Sequence, residues 1–344
     1  MSVPITPAVL DAWNLSDKIL PASDAGLINQ TFVVGTPAHG ILQWVNPIFH
    51  PDIHEDINAM TNHLSRKGIL TTHIIPTRHG ELTFPAEKGC WRMLEFIPGR
   101  TLHVIDHPNI AFEAGQKVAQ FHAALSDYSH PRIGPMRDIH NTPVRMAELR
   151  NALSKIEGHH LKEQILPLAE SILKNWEEWE GDLDLPLHMC HGDLKISNLH
   201  FHPTEDKAIC LLDLDTIGPQ TIAAELGDAW RSWCNPKGES SAENIYFDLP
   251  CFEASAKGYF SSSPQLTQKE VDNLVPGIMR ICIELASRFC TDAILNTYFS
   301  ENTERYPIKG MHNFIRAQSQ FALYKSVKEQ RLIVNSILKN QRSR

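Results

Sequence analysis

Asp193, Asn198 and Asp213 are the residues of this chain whose types and spacing could do chemistry. The first two fall in the stretch HGDLKISNLHF, His191 to Phe201, and the third ends the apolar run ICLLD that follows. Leu199 to His202 and Ala208 to Leu212 read as two short strands around a turn at Pro203–Asp206. Closing that hairpin is expected to bring Asn198, just before the first strand, beside Asp213, just after the second. One carboxylate and one amide oxygen suit Mg²⁺, a hard ion that keeps several waters and takes further oxygens from substrate phosphates. Asp193, on the loop leading in, is left to accept a proton from a substrate hydroxyl. An Asp, an Asn five residues on, and a second Asp at the end of an apolar strand together match the template for phosphoryl transfer.

Two plainer readings use the same residues. His191, Asp193 and Asn198 could be turn residues capping nearby backbone groups, which leaves Asp213 unexplained. His188, His191, His200 and His202 could form a transition-metal cluster with the aspartates, but alternation along a strand and a preceding loop do not give a compact ligand set. A two-metal phosphohydrolase would need further His or Asp ligands at other strand ends, and no such series is present.

The elements that must position this loop divide into two kinds. Up to residue 97 a short helix near PAVLDAWN precedes a hairpin, LINQTFVVG and HGILQWVN. An amphipathic helix then spans Asp52 to Lys67, with Ile53, Ile57, Met60 and Leu64 on one face, and strand candidates follow at THIIPT, GELTFPA and CWRMLEFIPG. Beyond Pro98-Gly99 the pattern changes to long helices: NIAFEAGQKVAQFHAALSDY, PVRMAELRNALSKIE, LKEQILPLAESILKNWEEWE, EVDNLVPGIMRICIELASRFCTDAILNTYF and HNFIRAQSQFALYKSVKEQRLIVNSILKN. The expectation is an α+β, bilobal chain, with residues 1–97 a small, mainly antiparallel lobe and residues 98–344 a larger helical one. A chain of 344 residues exceeds the usual size of a single core, so a cleft between two lobes is expected.

Composition narrows the partners. A formal charge of −8 argues against a nucleic-acid binder, whose affinity rests on clustered Lys and Arg. Neither a basic start followed by an apolar run nor a stretch of about 18 uncharged apolar residues occurs, so no export signal and no membrane partner are expected. Seven scattered cysteines, never as CxxC, read as reduced core residues of a cytoplasmic protein.

With these residues assembled, the chain resembles the aminoglycoside phosphotransferase and choline kinase superfamily, which has the protein-kinase-like fold. Within it the chain is most similar to the N-acetylhexosamine 1-kinases, through GLINQTFVV, GILQWVN, ELGDAWR, RFCTDAILNTYF and HNFIRAQSQFAL. The resemblance implies ATP as co-substrate and Mg²⁺ as cofactor, Asp193 as catalytic base with Lys195 beside it, and Asn198 and Asp213 as metal ligands, with Asp215 in support. It implies nucleotide contacts from Gly26 and Asn29 in the first turn, from the Gln43 position, and from Glu95 and Ile97 where the last strand of the small lobe ends. Asp193, Arg231, Arg288 and Tyr298 are implied at the acceptor, a sugar first and otherwise an aminoglycoside, choline or homoserine. A monomer or homodimer is expected.

Two departures stand out. Relatives carry a basic residue on the second strand of the hairpin for the ATP phosphates, at the position of Gln43 or of Trp44, and this chain has neither. The sugar kinases have GHIN where this chain has GLIN, so Leu27 replaces a polar residue. The missing base encourages one rival, a non-catalytic nucleotide-binding module, which the retained Asp193, Asn198 and Asp213 oppose. Asp228 is expected to hold the catalytic loop by hydrogen bonds and His122 to be a satisfied core histidine, while Glu55 either pairs with a phosphate-binding base, as a kinase helix glutamate does, or, with that base missing, lies on a solvated helix face.

Overall fold

The computed structural model describes residues 3–22, 28–135, 139–262 and 266–342. Gly26 and Leu27 lie outside them. The chain forms two compact units. The first holds the chain up to Gly99 together with Asp127–Arg137 and Leu212–Asp215.

In the first unit α1 (Pro7–Ala12) is followed by β1 (Ile19–Pro21), β2 (Gln30–Val34) and β3 (Gly40–Val45), then α2 (Ile53–Arg66), β4 (Ile74–Ile75), β5 (Phe84–Pro85) and β6 (Cys90–Glu95). The sheet runs β1-β2-β3-β6-β4, with β5 also on β6, and every pairing is antiparallel. Alternation along β2, β3 and β6 sends Val34, Leu42, Trp91 and Met93 into a core that α1 closes with Val9, Ala12 and Trp13. The Trp13 indole donates to Ile75 O at 2.9 Å, which satisfies its one polar atom. The apolar face expected of α2 is buried, since Ile53, Ile57, Met60 and Leu64 are at most 3 % exposed. The strand candidates at THIIPT and GELTFPA shrink to two residues each, because only a short edge of each meets β6.

The second unit opens with β7 (Arg100–Thr101), α3 (Pro108–Leu125), α4 (Thr142–Leu153) and α5 (Lys162–Glu177). It continues through β8 (Leu187–Cys190), β9 (Leu199–Phe201), β10 (Ala208–Leu211) and β11 (Gly218–Thr221), and ends in α6 (Ile222–Trp233), α7 (Leu249–Phe260), α8 (Gln268–Asp272), α9 (Leu274–Leu295), α10 (Met311–Glu329) and α11 (Arg331–Arg342). Two continuous helical patterns in the sequence are thus each broken once, at Asn273 and at Gln330. Helices α4, α6 and α7 start on side-chain caps that satisfy otherwise orphaned N–H groups: Asn141 accepts from Val144 N, Thr221 from Ala224 N and Asp248 from Cys251 N. Helix α3 crosses α7 at two glycines. A Cβ on Gly115 would stand 2.0 Å from Ser255 O, and one on Gly258 2.0 Å from Phe112 O, so the backbones touch. Among the described residues no helix is long and apolar enough to cross a membrane. All seven cysteines are buried and unpaired.

The hairpin read around Pro203–Asp206 is present, β9 and β10 pairing with Leu199 opposite Leu211, and β7 adds to the other edge of β9. A second ribbon, β8 with β11, sets Cys190 opposite Gly218. The segment from His191 to Asn198 is strung between these two ribbons and ends in a 3-10 turn, Ile196–Asn198.

Candidate functional site

The loop from His191 to Asn198 is tied down at every turn. Glu225, fully buried on α6, accepts the backbone N–H of His191 at 2.8 Å and that of Gly192 at 2.9 Å. Thr216 Oγ1 donates to His191 O, Ser232 Oγ accepts from Ile196 N, and the Trp233 indole donates to Leu194 O. Gly192 has φ +83°, and a Cβ there would stand 2.4 Å from the Gln220 amide and 2.5 Å from Thr216 O, so the glycine of the HGD triplet is a steric requirement.

Asp228 was the residue expected to hold this loop, and the structure corrects that to Glu225. The two lie one helical turn apart on α6. Asp228 faces Arg231 instead, accepting from its Nε at 3.0 Å and Nη2 at 2.8 Å. His122 is the satisfied core histidine expected, with Nδ1 3.1 Å from Tyr259 Oη and Nε2 3.2 Å from Glu225 Oε1. His122, Cys190 and Glu225 cluster closely enough to ligate a metal, yet the Glu225 carboxylate is already committed to His122 and two backbone amides. Burial raises the Glu225 pKa, but the bond from His122 and the His122, His191 and Gly192 neighbours outweigh it and hold the carboxyl below its usual range.

This brace leaves Asp193 with its side chain 26 % exposed, and Lys195 donates to its Oδ2 at 2.5 Å. Burial works to raise the Asp193 pKa. The charge and hydrogen bond of Lys195, then His191 and Arg231, overcome it and lower the carboxyl to about 2. Asn198 donates from Nδ2 to Asp193 O at 2.8 Å, which fixes the amide so that its oxygen is the end turned elsewhere. Arg231 is 3 % exposed and pairs with Asp228 and with Glu239. Asp193, Lys195, Asn198 and Arg231 are therefore one connected group in the second unit.

Arg288 and Tyr298 form a separate group in that unit. The Arg288 guanidinium lies over the Tyr298 ring at 5.5 Å and the Phe299 ring at 5.4 Å, and Tyr298 is 42 % exposed. Asp292, one turn after Arg288, caps the following loop by accepting from the backbone N–H groups of Thr297, Tyr298 and Phe299 and from Asn313 Nδ2.

The first unit carries Asn29, Gln43, Glu95, Ile97 and Asp213. Asn29 donates to Asp215 Oδ2 at 2.7 Å and accepts from Asn46 N at 3.0 Å, so both ends of its amide are engaged internally. Glu95 gives its N–H to His73 O. Beyond it the strand ends, and Ile97 lies in irregular backbone. Asp213 has φ +62°, a left-handed conformation uncommon for a residue with a side chain. Asp215 is fully buried. Arg92 takes up both of its oxygens, from Nη1 to Oδ1 and from Nη2 to Oδ2 at 3.1 Å.

Arg92 is the residue that reading the sequence missed. It sits in the middle of β6, 2 % exposed, where alternation suggests an apolar side chain. The only sequence signal was a charged residue inside the apolar run CWRML. Burial disfavours its charge, but Asp215, reinforced by Asp213, keeps the guanidinium firmly protonated. Glu55, by contrast, is exposed on α2 as expected of a solvated face.

Residues 20–249 match the family described as "Phosphotransferase enzyme family". Solved structures with the same fold include a choline kinase from Cryptosporidium parvum Iowa II, at 15 % identity, 93 % of this chain, 91 % of that one and a TM-score of 0.59. An aminoglycoside phosphotransferase from Alicyclobacillus acidocaldarius subsp. acidocaldarius DSM 446 matches at 13 % identity over 96 % of this chain and 97 % of that one, TM-score 0.59. A microcompartment-associated aminopropanol kinase matches at 15 % identity over 96 % and 97 %, TM-score 0.61. At these identities the likeness establishes the fold, a mixed α+β, kinase-like architecture.

Proposed function

This chain belongs to the phosphotransferase enzyme family, with a hydroxyl group as acceptor, and from that premise we propose that it is an ATP-dependent small-molecule kinase whose acceptor is a sugar of the N-acetylhexosamine class. The observation that carries the reading is the braced loop, in which a partly exposed carboxylate, Asp193, is held beside Lys195 by a fully buried glutamate and three backbone-directed side chains, Thr216, Ser232 and Trp233.

In the proposed reaction the acceptor oxygen attacks the γ-phosphorus of ATP, the bond from that phosphorus to the β,γ-bridging oxygen breaks, and ADP leaves. Asp193 orients the acceptor hydroxyl and takes its proton. A carboxyl with a pKa of about 2 is a weak base toward an alcohol, so the proton moves late, once bond formation to phosphorus has acidified it. Lys195, released from Asp193 as the hydroxyl takes its place, is suited to meet the transferred phosphoryl oxygens. Residues Glu95 and Ile97 would contact adenine, with Gly26 and Asn29 near the phosphates.

Each of the two proposed ligands has donor chemistry suited to a divalent cation. Asn198 has its amide nitrogen fixed on Asp193 O, leaving its oxygen as the ligand end, and Asp213 is a carboxylate in a held, left-handed conformation. Magnesium bound there would supply neutralisation of the phosphate oxygens. Ca²⁺ and AMP-PNP accompany a solved amicoumacin kinase of the same fold, which supports nucleotide and divalent-ion use here.

The sugar reading rests on the resemblance of RFCTDAILNTYF and HNFIRAQSQFAL to sugar kinases, and on a half-exposed aromatic, Tyr298, backed by a cation that donates fixed hydrogen bonds. Arg231, Arg288 and Tyr298 are the proposed acceptor residues. ADP release with ATP and magnesium, measured across N-acetylated hexosamines, aminoglycosides, choline, aminopropanol and homoserine, tests both levels. Turnover confined to amino alcohols or aminoglycosides replaces the sugar assignment, and no turnover with any hydroxyl compound overturns the kinase reading.

A further inference from the structure

Phosphate charge needs a cation, and the strand position that supplies one in relatives holds Gln43 and Trp44 here. Trp44 is buried and gives its indole N–H to Lys88 O. Gln43 is paired across the β3–β6 ladder with Arg92. Residues directly opposite in an antiparallel pair project from the same face with their Cβ atoms about 5 Å apart. A long side chain at 92 therefore reaches the space that a long side chain at 43 would fill. Gln43 confirms the convergence: its Oε1 accepts from Arg92 Nε at 2.9 Å and Nη2 at 2.8 Å, while its Nε2 is turned away to Thr31 Oγ1.

We propose, on the premise of the kinase reading, that Arg92 is the cation that meets the nucleotide phosphates in this enzyme, moved from β3 to the neighbouring strand β6, with Asp215 as its counter-ion in place of a helix carboxylate. Asp215 lies two residues beyond Asp213, so the guanidinium is anchored to the same short segment that carries the proposed metal ligand. The bonds to Gln43 and Asp215 use both N–H groups of Nη2, the N–H of Nε and one of Nη1, and a guanidinium has five. The remaining Nη1 donor is the one that contacts phosphate. His54, 1 % exposed on α2 and with no partner for Nε2, sits within electrostatic reach of Arg92 and is held neutral, so it adds no competing charge. Glu55, exposed on the same helix, is not the counter-ion.

The test is calorimetric titration of the full chain with Mg·ATP and, separately, with adenosine, which has no phosphate. Arg92→Gln is expected to weaken Mg·ATP at least tenfold and leave adenosine within about twofold. Adding Gln43→Lys to it, which returns a cation across the ladder and a partner to Asp215, is expected to bring Mg·ATP back to within about threefold of the parent. Unchanged Mg·ATP affinity in Arg92→Gln, an equal loss for adenosine, or no recovery in the double variant each overturns the proposal. Should Arg92→Gln not fold, the double variant decides alone. A parent chain that binds neither compound fails the kinase reading itself, whereas a parent that binds Mg·ATP indifferently to Arg92 fails only this inference.

Discussion

Glu225 and Gly192 are 33 residues apart in sequence, yet the carboxylate of the first receives the backbone N–H of the second at 2.9 Å while its other oxygen receives that of His191. A buried anion thus sets the backbone of the loop that presents Asp193, without touching Asp193 itself.

Glu225→Gln replaces one accepting oxygen by a donor that faces another donor. An unsatisfied buried N–H costs about 1–3 kcal/mol, so the variant is expected to lose that much stability and to lose turnover more than nucleotide affinity. Chemical denaturation alongside steady-state kinetics checks it. Full turnover at reduced stability would show that the loop does not need this anchor for chemistry.

Asp193→Asn keeps the size and the neighbouring bonds but cannot accept the acceptor's proton. Turnover is expected to fall by about 10² to 10⁴, with Mg·ATP affinity within a few fold. Near-parental turnover in the purified variant would remove Asp193 from the role of base.

Removal of a metal-binding carboxylate reads out through the ion. Asp213→Ala is expected to weaken Mg·ATP binding and catalysis together, and to flatten the gain in nucleotide affinity that magnesium gives the parent. An unchanged magnesium dependence would show that Asp213 is not a ligand.

At the acceptor, Arg288→Ala removes the cation stacked on Tyr298 and Phe299. The acceptor KM is expected to rise much more than the ATP KM. Equal effects on both, or none, would place Arg288 outside the acceptor site.

Two buried histidines give stability a dependence on pH. Burial first, then the charge of Arg92 for His54 and of Arg316 for His312, lowers each to about 4 from an ordinary 6.5. Between those values the unfolded chain binds protons that the folded one refuses, so stability falls as pH drops from 6.5 to 4 and is unaffected by these groups above it. Each histidine contributes up to about 3 kcal/mol to that loss. Melting temperatures of the parent and His54→Gln over pH 4–8 check this. The variant's curve is expected to be the flatter, and parallel curves would refute it.

Much of this protein follows from local order in its sequence. The five-residue step from Asp193 to Asn198, the hairpin pairing Leu199 with Leu211, and the apolar face of α2 depend on neighbours a few positions away, where strand and helix periods act directly. Even the need for glycine at 192 can be suspected from its motif. Partnerships between distant charged groups cannot be read this way. The resemblance implies Asp215 in support of the metal ligands, and its carboxylate is met by Arg92, 123 residues earlier, arriving through the β3–β6 register. The choice of Glu225 over Asp228 as loop anchor rests on the rotational phase of α6 against the β8–β11 ribbon, since the two acids are one turn apart. Periodicity says that a helix has an inner face, but only the packed chain decides which buried acid meets which donor, because a buried charge takes whatever partner the fold brings within reach.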